Sequence, residues 1–118
     1  MAKILIAEDS GFQRTIIKRI ITRLGHEAVE AKTGREALRQ IEDEQPDLIL
    51  LDMLMPDIDG LQVLKVLKSK HLQTPVIVIT ADVQETTRKR CEEAGVREII
   101  YKPVDEDKLS SALKKVLE

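Results

Sequence analysis

Short apolar runs recur along the chain at positions 4–7, 48–51 and 76–79, each without a polar residue. Such uninterrupted runs are typical of strands that are buried on both faces of a sheet. Positions 27–31, Glu-Ala-Val-Glu-Ala, are more charged and predict a strand at the edge of the sheet. Positions 99–101 predict a fifth strand.

Amphipathic segments lie between these runs and predict five helices. Gly25 and Gly95 are expected to end the first and fourth helices. Thr33 and Glu36 are expected to form a capping box at the start of the second. The fourth helix is expected over residues 84–94. The positions predicted to face inward are, helix by helix, Ile16, Ile17, Ile20, Ile21 and Leu24; Ala37, Leu38 and Ile41; Leu61, Val63, Leu64, Val66 and Leu67; Val83, Thr87, Cys91 and Ala94; and Leu109, Ala112, Leu113 and Val116.

Alternation of strand and helix five times over predicts an α/β fold. The sheet should be parallel, five-stranded and doubly wound, with helices on both faces. A chain of 118 residues has room for one such domain, spanning residues 1–118.

Composition narrows the classes of function. The net charge of -2 provides no basic field for nucleic acid, and aromatic residues, at 2%, are too few to stack bases. No apolar run approaches the roughly 20 residues that span a bilayer. A single cysteine, with no signal peptide expected before Lys3, favours the reducing cytoplasm.

Polar residues follow the predicted strands where each strand ends. Glu8 and Asp9 follow the first strand, Asp52 the third, Thr80 the fourth and Lys102 the fifth. The carboxyl ends of parallel strands meet at one edge of the sheet, where open α/β folds bind their ligands. We therefore expect three carboxylates, a hydroxyl and an ammonium group to converge.

This set of groups suits phosphoryl transfer. Clustered carboxylates repel one another unless a cation lies between them, and an all-oxygen ligand set favours Mg²⁺. A carboxylate can attack phosphorus directly to form an aspartyl phosphate. A lysine and a threonine can then stabilise the charge on the phosphoryl oxygens.

Other polar residues have simpler explanations. Asp57 and Asp59 are interpreted as turn residues and are not assigned to the site. His26 and His71 precede strands and so belong at the opposite edge of the sheet, which means that a phosphoryl donor must come from another molecule. Cys91 is expected to be a buried apolar residue rather than a reactive thiol.

Four motifs together resemble the receiver domain of two-component response regulators: AEDS, LLDMLMPDIDG, ITA and YKP, which follow the first, third, fourth and fifth strands. The resemblance covers essentially the whole chain. It implies a flavodoxin-like fold with strand order 2-1-3-4-5, a cis Lys102–Pro103 peptide bond and a protein that works as a stand-alone receiver.

The resemblance also implies a role for each matching residue and for the partners. For the metal, these roles are direct Mg²⁺ ligand for Asp9, ligand through water for Glu8, ligand through its backbone carbonyl for Leu54, and ligand for Asp52. For the phosphoryl group, they are phospho-acceptor for Asp52, switch hydroxyl for Thr80 and phosphate-binding residue for Lys102. A histidine kinase or phosphotransfer protein would be the donor. Because the inward stripe of helix four holds few large apolar residues, we expect this helix to move most easily and a downstream protein to bind the face formed by helix four, strand five and helix five. The chain is expected to be a monomer or a weak dimer.

The chain departs from the family three residues before the lysine, where Ile99 stands in place of the frequent aromatic residue. Two other functions would each require a residue pattern that the chain lacks. A small Mg²⁺-dependent phosphatase with a covalent aspartate would need a second Asp at position 54, which is Leu54. A flavin or nucleotide binder would need a glycine-rich loop after the first strand, where Gly11 stands alone. A phosphorelay intermediate or adaptor remains an alternative within the family.

Overall fold

The computed structural model describes residues 1–118 as one five-stranded parallel sheet with five helices. The strands are β1 (Lys3–Ala7), β2 (Glu27–Ala31), β3 (Leu48–Leu51), β4 (Val76–Thr80) and β5 (Glu98–Tyr101). The helices are α1 (Gly11–Arg23), α2 (Gly34–Glu44), α3 (Gly60–Ser69), α4 (Glu85–Glu93) and α5 (Glu106–Leu117). No helix is both long and apolar enough to cross a membrane.

The sheet has the order β2-β1-β3-β4-β5, and all four pairings are parallel. Residues of β1, β3 and β4 alternate between two separate cores, one on each face. Helices α1 and α5 cover one core, and α2, α3 and Cys91 of α4 cover the other. The predicted doubly wound α/β fold is therefore confirmed, with the strand order implied by the family resemblance.

Local signals fix where the helices begin and end. Gly25 and Gly95 follow α1 and α4 with φ of 91° and 82°, values that glycine adopts without steric cost. Thr33 caps α2 by accepting a hydrogen bond from the Glu36 N–H. The predicted capping box is wrong in one detail, because the Glu36 carboxylate accepts from the Lys32 N–H rather than from that of Thr33.

Three of the predicted inward positions are wrong. Leu24 is 39% exposed because it follows the last turn of α1. Val83 is 71% exposed because α4 begins only at Glu85, which leaves Val83 in the preceding loop. Ala94 caps the end of α4 and is also exposed. Cys91 is consequently the only fully buried residue of α4, whereas α1 buries three isoleucines.

Candidate functional site

Three carboxylates converge at the carboxyl ends of adjacent strands. Glu8 and Asp9 directly follow β1, and Asp52 follows β3, which pairs with β1. Carboxylate oxygens from the three residues lie within 4.8 Å of one another. Glu8 and Asp52 are buried, whereas Asp9 is exposed. The predicted acidic cluster is therefore present, and one of its members faces solvent.

Lys102 reaches this cluster from β5, across the intervening β4. Its ammonium lies 2.8 Å from Asp52 Oδ2 and 2.6 Å from Glu8 Oε1. Burial lowers the pKa of Lys102, but the hydrogen bonds and negative charges of Asp52 and Glu8 outweigh that effect, so its pKa is raised. The amine is thus held in its charged form. The Lys102–Pro103 peptide bond is cis, as expected.

The two carboxylate oxygens of Glu8 have different partners. Its Oε2 accepts a hydrogen bond from the Ser10 N–H at 3.1 Å. Its Oε1 is buried and lies 2.6 Å from the Lys102 ammonium, and no other donor reaches it. Burial raises the pKa of Glu8, and the bonds from Lys102 and Ser10 only partly oppose this rise.

That buried oxygen bears on whether the site fits a metal ion. Its neighbouring cation, the Lys102 ammonium, is shared with Asp52, so the three carboxylates keep an excess of negative charge that a further cation would compensate. Two further carboxylates lie close enough to share one ion, and oxygen is the ligand that hard cations prefer. The acidic cluster of Glu8, Asp9 and Asp52 therefore fits a hard divalent metal.

Asp52 is held in place by its own main chain. Its N–H donates to the Ala7 carbonyl at 3.0 Å, which extends the pairing of β3 with β1 by one residue. Its Oδ1 accepts from the Leu54 N–H at 3.1 Å, and Oδ2 faces Lys102. The Leu54 side chain points outward and is 56% exposed. The local backbone thus orients the Asp52 carboxylate.

Thr80 is the buried last residue of β4, the strand beside β3. Its hydroxyl oxygen accepts a hydrogen bond from the Asp82 N–H at 3.2 Å. Its carbonyl accepts from the Lys102 N–H at 2.9 Å. Thr80 therefore connects the Lys102 segment with the loop that leads into α4.

The residues left out of the site have structural roles. Ser10, not Asp9, caps α1, so the Asp9 carboxylate is not used as a helix cap. Asp57 adopts a left-handed backbone conformation with φ of 61°, in the loop between β3 and α3. Asp59 caps α3 in a full capping box with Gln62. Asp57 is therefore a loop residue, as interpreted, whereas Asp59 is a helix cap rather than a turn residue.

The two histidines lie before β2 and before β4, at the amino edge of the sheet. His26 is half-buried, which is less exposed than expected for a surface residue, and it accepts a hydrogen bond from the Ala2 N–H at 3.0 Å. His71 is exposed, with φ of 56°. Neither histidine lies at the acidic edge.

Two residues near the site were missed by the sequence analysis. Arg14 donates to the Glu8 carbonyl at 2.9 Å. Asp82 accepts hydrogen bonds from the Gln84 N–H and the Thr87 hydroxyl. Arg14 could have been found, because it precedes Ile17 by three positions and is thus a charged residue on the buried stripe of α1. The pattern held no such signal for Asp82.

Comparison with known proteins agrees with this geometry. The sequence model of the family described as "Response regulator receiver domain" matches residues 4–114. The chemotaxis protein CheY of Bacillus subtilis (strain 168) is 34% identical over 116 residues, covering 98% of this chain and 97% of CheY. The protein PilH of Pseudomonas aeruginosa is 33% identical over 120 residues, covering 99% and 98% of the two chains.

A solved structure is similar over the same length. The CheY-like receiver domain protein of Methanospirillum hungatei JF-1 superposes with a TM-score of 0.93 at 28% identity, covering 99% of this chain and 94% of that one. Receiver domains are signalling domains that interact with histidine kinases and with downstream targets. Family match, fold and acidic cluster agree, and the chain therefore belongs to the response regulator receiver family.

Proposed function

We propose that residues 1–118 form one receiver domain that accepts a phosphoryl group on Asp52 in the presence of Mg²⁺. The donor is the phosphohistidine of a histidine kinase or of a phosphotransfer protein, which places the reaction in the cytoplasm. Glu8, Asp9, Asp52 and the Leu54 carbonyl would hold the Mg²⁺ ion. When bound, this ion neutralises charge on the phosphoryl oxygens.

The chemistry requires one bond to form and one to break. An Asp52 carboxylate oxygen attacks phosphorus, the phosphorus–nitrogen bond of the donor breaks with its electron pair going to nitrogen, and the histidine, protonated on its other ring nitrogen, leaves as neutral imidazole. No general base is needed, because an ionised carboxylate has no proton to lose. The Lys102 ammonium stabilises the phosphoryl oxygens by charge, and the Thr80 hydroxyl donates a hydrogen bond to one of them.

One observation supports this proposal above all others. Lys102 bridges Asp52 and Glu8 with its ammonium, at 2.8 and 2.6 Å. A lysine that served only to neutralise charge would need one acidic partner, yet this cluster holds three carboxylates and a single ammonium. The excess negative charge suits a metal ion, and the ammonium lies where a phosphoryl group on Asp52 would need a cation.

Acetyl phosphate tests the proposal directly. With Mg²⁺ it should add one phosphoryl group to the wild-type protein, seen by mass spectrometry as an adduct that is stable in acid and labile in base. Asp52→Asn should abolish the adduct. Asp57→Asn is the matched control, because Asp57 is an exposed acid in the same loop and should leave labelling intact. Labelling of Asp52→Asn at the wild-type rate would disprove the assignment.

We further propose that the signal leaves through α4, β5 and α5. Only Cys91 of α4 is fully buried, so this helix loses little apolar contact when it moves. Thr80 is joined to the start of α4 through Asp82, which gives a route from the phosphoryl site. Tyr101 is 38% exposed on β5, beside an open groove of about 430 Å³ between β5 and α5.

Amide exchange tests this route. Beryllofluoride with Mg²⁺ mimics a phosphoryl group on a carboxylate and should alter exchange within residues 82–101. Residue 99, which is aromatic in many receivers, is an isoleucine here. We therefore expect the response in α4 and not in a reorientation of the side chain of residue 99. Unchanged exchange over residues 82–101, together with a response in α1 or α2, would disprove this route while leaving the acceptor role intact.

A further inference from the structure

Arg14, the fourth residue of α1, binds two elements with one guanidinium group. Its Nη1 donates to the main-chain carbonyl of Glu8 at 2.9 Å, and its Nε donates to Glu30 Oε1 at 3.0 Å. The side chain is only 12% exposed, which is unusual for an arginine. The planar group carries several donors at fixed angles, so it can hold two acceptors in one geometry. Arg14 thereby connects the loop after β1 with the edge strand β2.

The carbonyl that Arg14 binds belongs to the peptide unit between Glu8 and Asp9. The preceding peptide unit is anchored separately, because the Glu8 N–H donates to the Ala31 carbonyl at 3.0 Å. The bond from Arg14 is the only hydrogen bond made to the Glu8–Asp9 peptide unit. Asp9 itself is exposed, so packing does not fix its orientation. Two of the three carboxylates are thus joined by a peptide unit that Arg14 alone holds.

Lys18 pairs with Glu30 as Arg14 does, but its hydrogen bond does not involve the loop after β1. It lies one helical turn after Arg14 and donates to Glu30 Oε2 at 3.0 Å. Its side chain is 48% exposed, and its hydrogen bond and salt bridge go to Glu30, with none to Glu8. The hydrogen bond from Lys18 lowers the pKa of Glu30, burial opposes this, and the bond from Arg14 lowers it further. Glu30 is therefore an ionised anchor for both cations, of which only Arg14 extends to the acidic cluster.

We propose that Arg14 is a positioning residue of the metal centre. It fixes the Glu8–Asp9 peptide unit, and with it the directions in which the two carboxylates leave the main chain, while Glu30 fixes the guanidinium. This inference rests on the proposed function, because it takes the acidic cluster to be the Mg²⁺ site. Mg²⁺ demands near-octahedral geometry, so a small rotation of that peptide unit weakens binding.

The sign of the effect separates positioning from electrostatics. Removal of a positive charge near three carboxylates strengthens their attraction for a cation. Loss of positioning has the opposite effect. Arg14→Ala is expected to weaken Mg²⁺ binding roughly ten-fold, as loss of a group that orients metal ligands does. Lys18→Ala removes the same charge from the same partner but leaves the loop untouched, so its Mg²⁺ affinity should stay within about two-fold of wild type or tighten slightly.

The experiment is a Mg²⁺ titration of wild type, Arg14→Ala, Lys18→Ala and Glu30→Gln, followed by the amide signals of the loop after β1. Glu30→Gln keeps Arg14 but weakens its anchor, so a smaller loss of affinity is expected. Circular dichroism shows whether each variant folds. If Arg14→Ala does not fold, Arg14→Lys decides the matter, because it keeps the positive charge but lacks the planar group that binds both Glu8 and Glu30, so weaker Mg²⁺ binding in this variant reports loss of positioning. Equal affinity in Arg14→Ala and Lys18→Ala would overturn the inference.

Measurements on the metal-free protein distinguish failure of this inference from failure of the proposed function. The Ser10 N–H donates to Glu8 Oε2, so its exchange rate reports the orientation of the Glu8 carboxylate. Faster exchange at Ser10 in Arg14→Ala, but not in Lys18→Ala, supports the positioning role. Failure of the wild-type protein to bind Mg²⁺ would overturn the proposed metal site but not this positioning of Glu8. Unchanged exchange at Ser10 overturns the positioning role even if wild type binds Mg²⁺ and is phosphorylated.

Discussion

Gly60 lies directly against the main chain of Asp52. A β-carbon at residue 60 would be 2.6 Å from the Asp52 carbonyl oxygen and 2.7 Å from the Met53 α-carbon. The Gly60 N–H also donates to the Met53 carbonyl at 3.1 Å. The first turn of α3 therefore packs against the residue that we propose accepts the phosphoryl group, and only glycine fits there.

Gly60→Ala should therefore disturb the site and the fold together. We expect a loss of about 1–3 kcal/mol in the free energy of unfolding, as overpacking causes, together with slower labelling by acetyl phosphate. Urea unfolding and mass spectrometry measure the two effects. Gly11→Ala is the matched control. Gly11 also begins its helix, but a β-carbon added there would lie no closer than 3.8 Å to a neighbouring side chain. Equal stability of the two variants would contradict this account.

Mg²⁺ should raise the melting temperature of the wild-type protein. A ligand that binds only the folded state stabilises it by about 2.7 kcal/mol at a concentration of 100 times its dissociation constant. Asp9→Asn should reduce this gain, because Asp9 is one of the three carboxylates of the cluster. Thermal melts with and without Mg²⁺ provide the measurement, with Asp57→Asn as control. If Mg²⁺ raises the melting temperature of Asp9→Asn as much as that of wild type, Asp9 is not a ligand of the metal ion.

Glu30 should make stability depend on pH. Hydrogen bonds from Lys18 and Arg14 lower its pKa below 4.5 in the folded protein, despite opposing burial. The stabilisation is therefore present above pH 4.5 and is lost as pH falls through the folded pKa. Because the side chain is 37% exposed, Glu30→Gln should cost no more than about 1 kcal/mol at pH 7. Urea unfolding at several pH values should show this difference vanish in acid. If the stability difference between wild type and Glu30→Gln grew in acid, the predicted direction of the pH dependence would be wrong.

Cys91 should resist alkylation in the folded protein. Burial raises the pKa of its thiol, and the charges of Asp82 and Glu92 raise it further, so little reactive thiolate forms. Its sulfur also lies 3.5 Å from the Met53 sulfur, inside the core. Iodoacetamide should label the urea-unfolded protein quickly and the native protein slowly. Equal rates in the two states would show that Cys91 is accessible.

Asp82→Ala should loosen the start of α4. Gln84, the residue before the helix, makes no capping hydrogen bond with its side chain, whereas Asp82 accepts from the Gln84 N–H and the Thr87 hydroxyl. Loss of such a cap costs about 1 kcal/mol. Amide exchange should become faster in the first turn of α4. Asp105→Ala, which removes the cap of α5, is the control and should affect α5 alone. Unchanged exchange in α4 would show that Asp82 does not hold the helix.

Much of the fold was predictable from local sequence. A buried strand requires an uninterrupted apolar run, as at 48–51, and a helix end requires a residue that tolerates positive φ, as at Gly25 and Gly95. Because parallel strands share their direction, the residues after them must meet at one edge. That geometry places Glu8, Asp9 and Asp52 at the same edge, but their close approach also requires β1 and β3 to be neighbours, and the order of the strands came from the family resemblance.

Contacts between distant residues were decided by the tertiary structure. Gly11, Gly34 and Gly60 each begin a helix and look equivalent in sequence, yet a β-carbon would clash at Gly34 and Gly60 and not at Gly11. The difference depends on how closely each helix approaches a neighbouring loop. The bond from Arg14 to Glu8 and the exposure of Val83 likewise depend on where packed elements begin and on the distance between them. Periodicity specifies the face on which a side chain lies, but only the packed chain specifies what that side chain meets.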